Sequence, residues 1–171
     1  MPDTEMPDLP DDMFLIEVRD EETGSSLTTL SVSQTPTMLL SYAANRFDDV
    51  ASNYFKKRYS LGGVDWRMIF MLAGQPGSTA AYASSTIGID KGAISRCLQR
   101  LEENGLTFAG PLHANGRSRS WHLTEKGRAL HAELLQVALD RQRRLLKGFA
   151  PAEAQAFCNM LERFLDNLSR V

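Results

Sequence analysis

The side chains of this 171-residue chain best equipped for chemistry are arginines between positions 96 and 119. Arg96 and Arg100 sit one helical turn apart, with Ser95 and Gln99 beside them. Arg117 and Arg119 follow Asn115 and Gly116, interleaved with Ser118 and Ser120. A guanidinium presents a rigid fork of donors that fits a guanine edge or a phosphate, and a glutamine amide fits adenine. The set suits contact with a nucleic acid. Catalysis finds no comparable grouping: no Ser/His/Asp set stands near a nucleophile turn, and no glycine-rich phosphate loop is present. His113, His122 and His131 stand nine apart, whereas helical zinc pairs use a spacing of roughly three to five. No enzymatic activity, metal or cofactor is expected.

Those arginines need elements to position them. Asp90 is an N-cap and Gly105 a C-terminal stop for a helix over residues 91–104. At about 100° per residue, Ile94, Leu98 and Leu101 fall on one side of it, with Cys97 at the edge. Gly92, Arg96 and Gln99 fall on the other, flanked by Ser95 and Arg100. A short helix capped by Ser78 precedes it over 78–87, and residues 88–90 make a tight turn between the two. Residues 106–113 and 118–123 read as strands joined at Asn115-Gly116, a pair suited to a type I′ turn. Helix, turn, helix, then hairpin is a winged helix-turn-helix. In that arrangement the second helix enters the major groove and the hairpin tip touches backbone or minor groove. Arginine at such a tip suits a narrow minor groove.

Further elements flank this block. Thr35 and Pro36 open a helix to about residue 58, with Leu39, Ala43, Val50 and Tyr54 on one face, ended by Gly62-Gly63. Residues 64–73 form a second helix ended by Gly74-Gln75-Pro76-Gly77. Thr124 caps a long helix to about residue 148, and Pro151 opens a last one with Phe157, Leu161, Phe164 and Leu168 on one row. The expected class is mainly α with a small β-wing.

Composition agrees with one ordinary globular domain and an appendage: 43% apolar and 23% charged. The longest apolar run, residues 68–73, falls far short of the ~20 residues a membrane span needs. The acidic start lacks a basic, secretory-type leader, and two cysteines make no disulfide framework, so a reducing cytoplasm is expected. Cys97 and Cys158 read as structural thiols. The net charge of −2 hides an asymmetry: residues 1–36 hold nine acids and one base, whereas residues 37–171 hold 18 bases and 12 acids. Residues 1–34 are thus an acidic arm on a basic body. Within it, residues 1–12 read as a disordered tail and 14–32 as two β-prone runs around a Gly24 turn. A lone hairpin is marginal in water, so order and disorder both stay open. Such an arm is expected to compete with phosphate for the basic body.

From about Thr37 onward the chain resembles the MarR-type transcriptional regulators. The resemblance rests on Asp65-Trp66-Arg67 and on Ile89-Asp90-Lys91-Gly92-Ala93-Ile94-Ser95-Arg96. It continues through Leu101-Glu102-Glu103-Asn104-Gly105-Leu106, Asn115-Gly116-Arg117 and Leu123-Thr124-Glu125-Lys126-Gly127, all correctly spaced. It implies a homodimer held by helices in residues 35–62 and 124–171, with the DNA-binding domain in 63–123. It also implies a pseudo-palindromic double-stranded operator and, in many members, release by a small aromatic or phenolic acid. Ser78 and Thr79 would take phosphate; Lys91, Gly92, Ala93, Ser95, Arg96 and Gln99 would face the DNA, while Arg100 reads either way. Asn115, Gly116, Arg117, Ser118 and Arg119 would form the wing contact. Tyr42, Arg46 and Trp66 would line an effector pocket, although core packing suits Trp66 and Met68 as well, and Arg67 suits bracing. Two positions depart from the family pattern: Asn115 stands where aspartate is usual, and Gly92 where serine is common. The function implied is a dimeric repressor; the alternative is a winged-helix protein-interaction module without DNA binding.

Overall fold

Capping and turn chemistry set most of the element boundaries. The computed structural model describes residues 9–113 and 118–170. The chain divides into two compact units, residues 1–63 and 64–171.

In the first unit, Asp11–Phe14 form a single 3₁₀ turn, so residues 11 and 12 are ordered where a loose tail was expected. Strands β1 (Leu15–Arg19) and β2 (Ser26–Leu30) then pair antiparallel, from Leu15 opposite Leu30 to Arg19 opposite Ser26. The hairpin is therefore formed. Its turn is built on Asp20, whose carboxylate accepts hydrogen bonds from the amides of Glu22 (2.8 Å) and Thr23 (3.0 Å). Those amide bonds, Thr23's first, hold the Asp20 carboxyl below its usual range. Helix α1 (Pro36–Tyr59) starts where Thr35 and Pro36 predict. It ends on Ser60 in the left-handed region, at φ 57°, ahead of the Gly62-Gly63 pair expected to break it. Ala51 and Phe55 are its buried residues, whereas Leu39, Val50 and Tyr54 of the expected apolar row are exposed.

Helix α2 (Gly63–Gly74) opens the second unit and buries Met68, Ile69 and Leu72. Helix α3 (Ala80–Ile87) and helix α4 (Lys91–Glu103) follow, joined through Gly88 and the Asp90 cap, whose carboxylate accepts from the Ala93 amide at 3.0 Å. Strands β3 (Thr107–Leu112) and β4 (Arg119–Leu123) form the wing, with a register irregularity between Ala109 and Leu112. The Asn115-Gly116 turn expected at its tip lies outside the described residues. Helix α5 (Glu125–Leu145) stops before the expected end near residue 148, because the chain turns through Gly148 at φ 95°. Helix α6 (Pro151–Leu168) closes the chain. The core of this unit gathers Ile69, Leu72, Ala83, Ile94, Leu98, Leu101, Leu106, Leu123 and Leu134.

One glycine here is fixed by contact. A Cβ on Gly127 would stand 2.0 Å from the Leu106 carbonyl oxygen, so the first turn of α5 reaches the wing root only because that side chain is missing. The same turn is capped by Thr124, which accepts from the Gly127 amide and donates to the Gly105 carbonyl. No helix among the described residues is long and apolar enough to cross a membrane.

Candidate nucleic-acid interface

The inward face of α4 explains how its outward face is held. Ile94, Cys97, Leu98 and Leu101 are at most 1% exposed, which places Cys97 fully inside rather than at the edge. Asp65, at the start of α2, is buried beneath them. A buried carboxylate requires partners, and α4 supplies them. Cys97 Sγ donates to Asp65 Oδ1 at 3.1 Å, Arg100 Nε donates to Oδ2 at 3.4 Å, and Arg100 Nη2 forms an ion pair with Oδ1. Burial, then the Asp65 bond and charge, push the Cys97 thiol far up, so it stays a neutral donor. The same carboxylate raises Arg100 further. Arg100 is therefore held against α2 by Asp65, although its outward spacing allowed a DNA contact. Sequence reasoning missed Asp65 as an anchor; an acid beside a run of buried apolar residues was the available signal.

The outward face presents Lys91, Arg96 and Gln99 to solvent, with Gly92, Ala93 and Ser95 half-buried between them. Gly92 lies in the first turn, where a Cβ would stand 3.0 Å from the Asp90 cap oxygen and 3.3 Å from Arg96 Nη1. Its missing side chain leaves room for the Arg96 guanidinium to lie back toward the helix N-terminus. That end attracts anions.

The wing joins this face. Lys91, Ser95 and Gln99 of α4 line one cleft with Ser118, Arg119 and Trp121 of the wing, closed by Ala80, Ala81 and Leu112, with a volume of about 240 Å³. Five residues expected at the interface, Lys91, Ser95, Gln99, Ser118 and Arg119, thus converge. Asn115, Gly116 and Arg117 fall outside the described residues. The cap of α3 is Thr79 rather than the expected Ser78, and it accepts from the Tyr82 amide at 3.1 Å. Ser78 instead donates its hydroxyl to Gln75 O and bridges its backbone to Trp121 of β4. That bridge ties the start of α3 to the wing root, a link invisible to local pattern because it joins distant residues.

Other basic side chains brace the frame. Lys126 donates to Asn104 O at 2.9 Å, and Arg128 donates to Leu123 O at 3.0 Å. Arg67 lies over the ring of its neighbour Trp66, 4.8 Å from its centroid. His122 stacks on Phe108, and His131 meets Phe70 edge-on, both with centroids 5.2 Å apart. Of the expected effector residues, Tyr42 and Arg46 are exposed on α1 in the first unit, and Trp66 is half-buried on α2 in the second.

No family model matches the chain. Among solved structures, a MarR/EmrR family regulator from Acinetobacter sp. ADP1 superposes with a TM-score of 0.75 at 24% identity. It covers 83% of this chain and all of that one. The fold is that of the MarR-type regulators. A MarR-family regulator from Listeria monocytogenes, solved with a 26mer DNA, shares it with a TM-score of 0.72 at 22% identity, over 80% of this chain and 90% of that one. Among characterised sequences, the HTH-type transcriptional regulator PetP of Rhodobacter capsulatus is 29% identical over 113 residues, 66% of this chain and 68% of that protein. The HTH-type transcriptional repressor IacR of Pseudomonas putida is 28% identical over 113 residues, 66% of this chain and 67% of its own. The MarR-type fold places α4 as the second helix of the helix-turn-helix, and β3–β4 as the wing.

Proposed function

We propose that this chain is a MarR-type, sequence-specific double-stranded-DNA-binding transcriptional regulator that acts in the cytoplasm as a homodimeric repressor. The observation that carries the reading is the convergence of Lys91, Ser95 and Gln99 of α4 with Ser118 and Arg119 of the wing. Donors on α4 and the wing lining one cleft, with Arg96 exposed on the same helix, suit base edges and phosphates together. The solved Listeria relative with its DNA, and the repressor name of the Pseudomonas relative, support the same reading.

The homodimer reading rests on apolar surface that the single chain leaves uncovered. Val50 on α1 is 60% exposed, and Met160, Leu165 and Leu168 on α6 are 55–63% exposed. Two α4 helices related by a twofold axis would address half-sites about 34 Å apart. A small aromatic or phenolic effector would release DNA by changing the separation of those helices, for which a few kcal/mol of differential binding suffices.

The test is selection of duplexes from a random pool, followed by affinity measurement for Arg96→Ala and Arg117→Ala. Each substitution should weaken the selected site by about 5- to 150-fold, the range for loss of a good arginine contact. If both variants bind as tightly as the parent chain, these residues are not the contacts. Failure to enrich any duplex would favour a winged-helix protein-interaction module.

A further inference from the structure

A groove of about 350 Å³ lies where the end of α2, the wing and the first turns of α5 meet. Its residues all fall in the second unit. Phe108 and His122 stand opposite each other in the wing ladder, as do Ala109 and Trp121. Successive strand residues face opposite sides, so His122 turns to this groove while Trp121 lines the cleft shared with α4. Leu72, Ala73, Pro76, Phe108 and Leu123 supply apolar walls, and none of the described lining residues is acidic. The volume lies at the low end of the roughly 300–1,000 Å³ usual for small-molecule sites.

The polar part of the lining consists of donors. Arg128 donates from Nη1 to the Leu123 carbonyl at 3.0 Å, and its Nε–Nη2 edge has no partner among the described residues. That edge presents two parallel N–H groups, the arrangement that grips a carboxylate. His122 and His131 make ring contacts, with Phe108 and Phe70 at 5.2 Å, and no hydrogen bond to any described residue. An imidazole carries at least one N–H donor in either protonation state. Both rings are half-buried, and an unpaired polar group away from water costs free energy. One fixed cation and two imidazoles around apolar walls suit a ligand that is anionic at one end and apolar at the other. Phosphate would meet the donors and leave the walls uncovered; a neutral ring would cover the walls and leave the guanidinium unpaired.

We propose that this groove binds a small ring-bearing monocarboxylate. Its carboxylate lies on the Nε–Nη2 edge of Arg128, beside the two imidazoles, and its ring lies against Leu72, Pro76 and Phe108. The site gives the effector reading above a location and a charge, and rests on that reading only for its effect on DNA. The groove is lined by both wing strands, and the same wing carries Ser118 and Arg119 of the proposed interface. A ligand seated there bears on the wing from the face opposite the α4 cleft, so its occupancy biases how the wing stands beside α4.

The probes are benzoate, its neutral isostere benzamide and inorganic phosphate, each titrated into the full-length chain and followed by NMR shifts of the His122 and His131 rings. Benzoate should bind saturably at one site per chain. Benzamide should bind at least ~10-fold more weakly, the factor for losing a charge-assisted hydrogen bond, and phosphate should also bind more weakly. Arg128→Gln should weaken benzoate by about 10-fold or more. Because that change also removes the bond to the Leu123 carbonyl, Ala73→Leu is the second variant. It fills the groove from the α2 wall and should abolish benzoate binding with Arg128 still in place and the unfolding midpoint retained. Saturating benzoate should lower the affinity for the selected duplex severalfold in the parent chain and leave Ala73→Leu unaffected. No saturable binding, equal binding of benzoate and benzamide, or unchanged benzoate binding in both variants would overturn the site, as would saturable shifts confined to other residues. Benzoate bound in the groove with duplex affinity unchanged would keep the site and remove its effect on DNA. A parent chain that binds no duplex would remove the regulator reading, while the titration alone still decides the site.

Discussion

Helices α4 and α6 are both amphipathic in sequence, and the chain treats them differently. The apolar row of α4 is sealed: Ile94, Cys97, Leu98 and Leu101 are at most 1% exposed, and Asp65 fixes the helix from below. No residue of α6 is buried, and Phe157, Met160, Leu165 and Leu168 are 46–63% exposed. Hydrophobic periodicity therefore states that a helix has a face to cover, without saying which molecule covers it. The covered helix carries the polar face proposed to read DNA, which demands a rigid support. The uncovered one offers the surface proposed for a second subunit.

The largest effect that would break this contrast lies in α4. Leu98→Ala should destabilise the fold by about 2–5 kcal/mol, the usual cost of emptying a sealed leucine site. Denaturant unfolding should show it at every protein concentration. Leu165→Ala on α6 should behave oppositely. Monomer stability should move by less than about 0.5 kcal/mol, whereas the dimer dissociation constant should rise by about 10-fold for loss of an interface anchor. Equal losses of monomer stability in the two variants would erase the distinction between the helices.

The smallest effect concerns the arm. The Asp20 carboxyl is held low because it accepts amide hydrogen bonds from Thr23 and Glu22. Its contribution to the turn is complete above the ordinary aspartate range and is lost as pH falls through the depressed value. A carboxyl titration by NMR should therefore place Asp20 below the ordinary aspartate value, and Asp20→Ala should remove the acid-dependent change in hairpin shifts. A titration at the ordinary value would mean that the turn is not held by this carboxylate.

Much of the second unit was legible in the sequence, because its boundaries are set locally. Asp90, Gly105 and Thr124 each act where capping chemistry puts them, and the inward row Ile94, Leu98, Leu101 is the buried row. What escaped is non-local. The Asp65 partnership with Cys97 and Arg100 joins residues 32 and 35 positions apart. The Ser78–Trp121 bridge moves the cap of α3 from Ser78 to Thr79. In the first unit, the row Leu39, Val50, Tyr54 was read correctly as apolar, yet Ala51 and Phe55 are what the chain buries. Spacing could not distinguish those faces, because both are apolar.

The role proposed for the α4–wing face is to bind duplex DNA through several phosphates as well as bases. The most direct measurement is the affinity of the full-length chain for its selected duplex across a salt series. With six or more phosphate contacts, affinity should fall by roughly 10³ or more between 50 and 200 mM salt, linearly in the logarithms, and Lys91→Ala should reduce the slope by about one. A flat response with micromolar or weaker binding would contradict the account.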